Sequence, residues 1–340
     1  MAFLPRFLAA LAVACCVYIV PLRAINPEGD FRDGLLAPIV IDAREWKMSQ
    51  LSSPAQRAGI DALVLGSSRS MQLGPELDAR YGVHAYNLGV DSAHAEDYLA
   101  LYRWAKGVGI RPRVLAIGLD LEALDDSDRV DERYARNPEL VGALGDRSEL
   151  QQRVDALGTE LQKYKRMFTT WYLADTARSV QVHVLSKDVP PEIEALGLDG
   201  VVRYPRWDAE RAAGTFDLER SIADCLPLYD DRFRDMHGLS AWRLGLLEQL
   251  FSEARTDGVS VVVWLTPLHP RTVGRLTSTT AYARLVRSAA DEVARLAPRY
   301  GARWRDLSDP ATFDATADGW YDCAHLDASN LKRLVAALPN

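Results

Sequence analysis

In the stretch DALVLGSSRSMQLGP, residues 61–75, an apolar run breaks into a glycine, two serines and an arginine. ALVLG (62–66) reads as a strand buried on both faces, because no polar residue interrupts it. The small hydroxyl residues after it are either a plain turn or a device that holds one serine up as a nucleophile. The pattern repeats along the chain. HAYNLG (84–89), RVLAIGLD (113–120) and VSVVVWLTP (259–267) read as further buried strands, and ARWRDL as a short last one. Between them, SAHAEDYLALYRWAKGVG places Tyr98, Leu99, Tyr102 and Trp104 at near-helical spacing. SAWRLGLLEQLFSEARTDG is amphipathic, and AYARLVRSAADEVARLAPRYG is a helix ending at Gly301. Strands alternating with helices predict an α/β fold built on a parallel, doubly wound sheet.

The 340 residues are 48% hydrophobic and 26% charged, the composition of a globular protein. The formal net charge is -7 with acids and bases mixed, which excludes the concentrated basic face of a nucleic-acid binder. FLAALAVACCVYIVPL, Phe7 to Leu22, is uncharged between Arg6 and Arg23. It is slightly shorter than the ~20 residues that span a bilayer, and flanking arginines that snorkel make up the difference. No clean small-residue cleavage site follows it, so a single membrane anchor over residues 1–25 is expected in preference to a cleaved signal peptide. Residues 26–60 are then a linker and a leading helix, and 61–340 the α/β body. Arg23 and Arg32 follow the apolar run while Arg6 alone precedes it, so charge counting does not favour an outward-facing body.

The alternation breaks at about 125–237. This stretch is expected to be a mostly helical insertion over the carboxyl edge of the sheet, where α/β folds place ligands, or else a packing appendage. Cys15 and Cys16 lie in the apolar run, leaving Cys225 and Cys323 as either one disulfide or two separate thiols. No spacing suits zinc, and no metal or cofactor is expected.

A strand ending in Gly66-Ser67-Ser68 and feeding a helix puts Ser68 near unpaired backbone N–H groups that stabilise an oxyanion. Serine needs a base to act as a nucleophile. Near the C-terminus, WYDCAHLDASNLKRLVAAL offers Asp322 and His325, which on one helical turn share a face, so the carboxylate orients the imidazole.

With these residues the chain resembles the SGNH (GDSL-type) hydrolase superfamily from about Ala62 onward, the insertion excepted. The resemblance implies a flavodoxin-like three-layer α/β/α fold. It implies Ser68 as nucleophile within Gly66-Ser67-Ser68, and Asp322 and His325 as its Asp-x-x-His. Gly89, in YNLGVDSAHAEDYL, would join the Ser68 N–H in the oxyanion hole. The Gly-Ser-Ser form, the anchor and the insertion look like the branch that includes the teichoic-acid D-alanylation and alginate acetylation proteins. That branch implies a body outside the membrane, a cell-surface glycan or its acyl donor as substrate, and a multispan membrane acyltransferase as partner. The expected function is O-acyl transfer to, or ester hydrolysis on, such a glycan. The alternative is a catalytically silent glycan-binding or scaffold component of an export complex. One departure favours the alternative: the family's oxyanion-donating asparagine is matched by Asp120 in AIGLDLEAL. An ionised aspartate only accepts hydrogen bonds. Asp120 either faces elsewhere, is protonated by burial, or leaves the hole to Ser68 and Gly89.

Arg69 either holds an anionic substrate group or Asp120, or is an exposed first-turn arginine. His269, after a strand end, is a candidate for touching substrate. His84, His94, Asp91 and Glu96 match no metal spacing and read as a solvated loop. Trp171, Tyr172, Tyr204 and Trp207 either stack on sugar rings or are core.

Overall fold

The computed structural model describes residues 42–127, 130–145, 163–185 and 195–340, together with 5–6, 17–28, 31, 34–36, 39 and 161. It divides into two compact units.

The smaller unit comprises residues 1–46 and 146–191. Leu22, Phe31, Met167 and Tyr172 form its buried cluster, and the Tyr18 hydroxyl donates to the Met167 carbonyl at 2.7 Å. Thr169 caps the helix Thr170–His183 by accepting from the Tyr172 N–H. Residues 17–25 are helical, while 7–16 of the apolar run lie outside the described residues. Among the described residues no helix is long and apolar enough to cross a membrane, so the expected transmembrane helix is not found.

The larger unit comprises residues 47–145 and 192–340. Its chain runs from the second half of helix α1 (Ala43–Gln50) into β1 (Ala62–Gly66), α2 (Pro75–Tyr81), β2 (Ala85–Asn87), α3 (Ala95–Gly107) and β3 (Val114–Leu119). A short antiparallel pair, β4 (Ala195–Leu196) and β5 (Val202–Arg203), precedes α4 (Pro205–Ala212) and α5 (Leu218–Arg234). Then come α6 (Ala241–Thr256), β6 (Ser260–Leu265), α7 (Pro270–Thr279), α8 (Tyr282–Leu296), β7 (Arg303–Asp306) and α9 (Ala328–Ala337).

Every strand read from the sequence is present. They form one five-stranded parallel sheet in the order β2-β1-β3-β6-β7, so the chain is an α/β protein. Side-chain alternation sorts the strand residues onto two faces. Ala62, Val64, Val114, Ala116, Val262 and Trp264 join Leu77 of α2 and Leu331, Leu334 and Val335 of α9 in one core. Leu63, Leu65, Leu115, Ile117, Val261 and Val263 alternate with them and are buried too, so the central strands β1, β3 and β6 are apolar on both faces. Helices α3 and α6 pack on each other, and α6 packs against β6. Helix α5 lies within the stretch expected to be an insertion. Its Ile222, Tyr229 and Phe233 are buried, and it packs on α7.

Candidate active site

Parallel strands that all point one way bring their carboxyl ends to one edge, and the loops there carry the polar residues. After Gly66 the chain does not enter a helix directly, as the sequence reading expected. Residues 67–72 form a tight turn, with the Ser70 N–H on the Ser67 carbonyl at 2.8 Å and the Met71 N–H on the Ser68 carbonyl at 3.2 Å. Helix α2 starts only at Pro75. The turn folds back onto the sheet so closely that Ser70 occupies the space a side chain at Gly66 or Gly118 would fill. Gly66 has φ +151°. Asn87, at the end of β2, fastens the turn from the side, its Nδ2 donating to the carbonyls of Ser70 and Leu73, each at 2.8 Å.

Asp322 and His325 lie on a loop rather than on a helical turn. A bridge between Trp320 and Leu326 closes the loop, and the Tyr321 N–H donates to the His325 carbonyl at 2.8 Å. Inside it, Asp322 Oδ1 accepts the N–H groups of Ala324 and His325, both at 2.8 Å. Asp322 Oδ2 lies 2.8 Å from His325 Nδ1, and His325 Nε2 lies 3.0 Å from Ser68 Oγ. The carboxylate requires the proton on Nδ1, so Nε2 presents its lone pair to the serine hydroxyl. Burial pushes the Asp322 carboxyl up, but His325 and the two N–H groups outweigh it and hold it below the usual carboxylate range. The structure thus brings together Ser68, His325 and Asp322 in one hydrogen-bonded chain.

The loop is braced from outside. Cys323 is disulfide-bonded to Cys225 of α5, with Cα atoms 5.9 Å apart. The Cys323 carbonyl accepts from the His269 N–H and the Thr272 hydroxyl, each at 3.0 Å. His269 itself is buried. Its Nδ1 accepts from the Arg271 N–H at 3.1 Å, leaving Nε2 to donate to the Ala317 carbonyl at 3.2 Å. Its ring packs edge-on against Trp320. The structure therefore does not bring His269 into the cleft, because both ring nitrogens are bonded in the wall behind it.

The expected oxyanion donors divide. Among the described residues no acceptor takes the Ser68 N–H. The Gly89 N–H, by contrast, donates to Asn87 Oδ1 at 2.8 Å, and its carbonyl accepts from the buried Lys47 Nζ at 2.5 Å. Gly89 packs against the Gly66 carbonyl, 3.2 Å from where its Cβ would stand, so its lack of a side chain serves packing here.

Arg69 is buried, so of its two readings the one that pairs it with Asp120 fits and the exposed first-turn arginine does not. Its Nη2 lies 2.9 Å from Asp120 Oδ2 and 2.6 Å from Glu122 Oε2. Burial alone would lower the guanidinium's pKa, but Asp120 and Glu122 raise it well above the ordinary value, so it stays charged. The Thr266 hydroxyl donates to Asp120 Oδ1 at 2.5 Å, and the Ser67 hydroxyl oxygen accepts from the Arg69 N–H at 3.2 Å. Burial raises the Asp120 pKa against the pull of Arg69. Arg69 and Arg232 overcome the same burial effect at Glu122 and lower its pKa.

Ser68, Asp322 and His325 open onto a cleft of about 700 Å³, whose far wall is residues 206–232 of α4, α5 and the turn between them. Tyr204 is core, its ring 5.7 Å from that of His325. Trp207 is half-buried, lines the cleft and stacks on Tyr321 at 5.4 Å. Trp171 is exposed and Tyr172 is buried, both in the smaller unit. Each cleft arginine has a carboxylate nearby: Arg206 with Glu210 at 3.0 Å, Arg220 with Asp224 at 3.7 Å, and Arg232 with Glu122 at 4.0 Å. His94 is largely buried at the start of α3, 3.9 Å from Asp125, and Glu96 forms a buried ion pair with Arg243, so neither belongs to a solvated loop. Among the described residues the one cluster with metal-ligand geometry, Cys225, Asp322 and Cys323, contains the disulfide.

Sequence reasoning missed Asn87, Lys47 and Glu122. An asparagine closing the otherwise apolar run of β2 was the one local signal. Compared with known proteins, the chain matches no family model and no curated protein.

Proposed function

We propose that this protein is an SGNH-type serine acyl-transfer enzyme, an O-acyltransferase or esterase acting on a cell-surface polysaccharide outside the membrane. The observation that carries the reading is the hydrogen-bonded chain Ser68–His325–Asp322 opening onto a cleft. The flavodoxin-like strand order, with the site at the carboxyl edge, is in keeping with it.

In the proposed reaction His325 Nε2 takes the Ser68 proton as Oγ attacks the ester carbonyl. Asp322 stabilises the imidazolium, and the Ser68 N–H faces the developing oxyanion. His325 then protonates the departing alcohol, leaving an acyl-serine. A sugar hydroxyl or water, deprotonated by His325, then attacks the acyl carbonyl and takes the acyl group, and the departing Ser68 Oγ recovers its proton from His325. Pairing of the cleft arginines with carboxylates favours an uncharged, hydroxyl-rich acceptor over a polyanion, and Trp207 offers a ring face to a sugar. A disulfide between Cys225 and Cys323 suits an oxidising compartment, which favours a body outside the membrane. A multispan membrane acyltransferase is the expected source of the acyl group.

One observation favours the alternative of a silent glycan-binding or scaffold component: the Gly89 N–H is already taken by Asn87. A missing oxyanion donor lowers the rate by ~10²–10³. The test is a fluorophosphonate probe on the full chain. Labelling to completion that Ser68→Ala abolishes and Ser67→Ala does not is expected. Labelling that survives Ser68→Ala, or none at all, refutes the enzyme reading. With an activated ester, acylated glycan oligomers beside free acid would indicate transfer, and free acid alone hydrolysis.

A further inference from the structure

The helix Thr170–His183 of the smaller unit faces the opposite way from a helix that meets only water. Its buried stripe is Tyr172, Thr176 and Ser179, at i, i+4 and i+7, so two of the three inward side chains are short alcohols. The Thr176 hydroxyl donates back to the Tyr172 carbonyl at 2.7 Å. Trp171, Ala174, Arg178 and Val182, at i, i+3, i+7 and i+11, lie on a different face. Trp171 is 80% exposed, and Val182 is exposed as well. In water, burial of apolar surface would turn the tryptophan inward and the serine outward.

The exposed apolar surface extends beyond that helix. Phe168, just ahead of it, is 61% exposed, and its ring stacks on Tyr18 at 4.9 Å. Tyr18 belongs to the helical residues 17–25, where Val17 and Val20 are 71% and 60% exposed. The stack therefore ties two helical segments whose exposed side chains are apolar. Two observations name what covers them. Val17, Tyr18 and Val20 belong to the uncharged run Phe7–Leu22, so the exposed face continues the most lipid-compatible stretch of the sequence. Residues 163–185 also hold Lys163, Lys165, Arg166 and Arg178 against Asp175 alone, in a chain of net charge -7. Arg166 pairs with Glu28 at 3.1 Å. Exposed aromatic and aliphatic side chains flanked by cations suit the boundary of an anionic bilayer, where tryptophan sits at headgroup level.

We propose that the smaller unit is a membrane-surface module, with Phe168, Trp171 and Val182 seated in the interfacial layer of a lipid bilayer beside Val17 and Val20. Such a contact lies along the surface and needs no spanning helix. In that setting the arrangement of the helix is the ordinary one: its apolar face meets lipid, and its alcohols pack against the protein. The contact is independent of the acyl-transfer chemistry proposed above.

The experiment places the full chain with vesicles of phosphatidylcholine and phosphatidylglycerol in which the phosphatidylcholine is brominated near the top of its acyl chains. Bromine quenches a tryptophan only at close contact, so among the eight tryptophans it reports those that reach lipid. Brominated vesicles are expected to dim the parent, and Trp171→Phe to lose most of that quenching. Trp242→Phe, which removes an exposed tryptophan of the larger unit, is expected to keep it. Phe168→Ser combined with Val182→Ser is expected to weaken the quenching by about threefold or more, because less apolar surface enters the interface. A benzophenone side chain introduced at position 171 is expected to cross-link lipid. Absence of quenching in the parent, or equal quenching in Trp171→Phe, overturns the inference. Cross-links from position 171 to protein alone also overturn it, and place a second copy on this face. Ser68→Ala is expected to be quenched as the parent is, so a failure of the acyl-transfer reading leaves this result unchanged.

Discussion

The bridge between Cys225 and Cys323 lends itself to a quantitative test, because it closes a loop of 98 residues. Replacing both cysteines by alanine frees that loop in the unfolded chain. The chain-entropy relation for a loop of this length gives about 4.7 kcal/mol of lost stability at 25 °C. The loop that carries Asp322 and His325 has other holds: the Trp320–Leu326 bridge, the Tyr321–His325 hydrogen bond, and the bonds from His269 and Thr272 to the Cys323 carbonyl. One change thus has two separable effects. Urea unfolding of the double variant, followed by tryptophan fluorescence, should register a loss of roughly 4–5 kcal/mol. The turnover number, measured well below the unfolding transition, should stay within about tenfold of the parent, because the Asp322–His325 geometry has supports that survive. A stability loss under about 1 kcal/mol would refute the loop-entropy argument. Abolished turnover in a folded variant would show that the remaining bonds do not hold the loop.

The remaining tests concern the sheet and the wall behind the loop. Gly118→Ala would drive a methyl group into Ser70 and to 3.0 Å from Trp264 Cζ2. It should destabilise by about 1–3 kcal/mol and slow Ser68 labelling, checked by thermal melts and probe kinetics, and a neutral effect on both counts against the close packing of the turn. Burial holds His269 below the usual histidine range, with Arg271 adding to that and Ala317, Glu219 and Asp322 opposing. The unfolded chain takes up a proton near pH 6.5 that folded His269 refuses, so this contribution is complete above that pH and is lost as pH falls below it. His269→Asn keeps an acceptor for the Arg271 N–H but does not titrate. Its urea midpoint should fall less than the parent's between pH 7.5 and 5.5, and equal slopes would remove His269 as the source.

The sheet was legible because its central strands β1, β3 and β6 are apolar on both faces and the helices between them carry clear spacing. The triad was legible because both its segments are short and local. What surrounds them was not. Arg69 stays open between pairing with Asp120 and facing solvent until Asp120 and Glu122, more than fifty positions away, are folded against it. Gly89 matches a motif, yet its N–H is claimed by Asn87 through a side-chain conformation that no spacing encodes. Helix α5, whose buried stripe is Ile222, Tyr229 and Phe233, was legible only as part of a mostly helical stretch, because Pro227 interrupts its pattern and its place is set by packing on α7. The spacing of Asp322 and His325 fits a helical turn as well as the turned loop that forms, and only the Trp320–Leu326 bridge decides between them.

Ser68 and the imidazole beside it are separated by 257 positions in the chain. At ~5–20 residues per second, a ribosome that has just added Ser68 needs roughly 13–50 s to reach His325. Through that interval the serine has only the reactivity of an ordinary alcohol. On the acyl-transfer reading, the nucleophile is therefore armed only once the late-made segment has folded against the turn after the first strand.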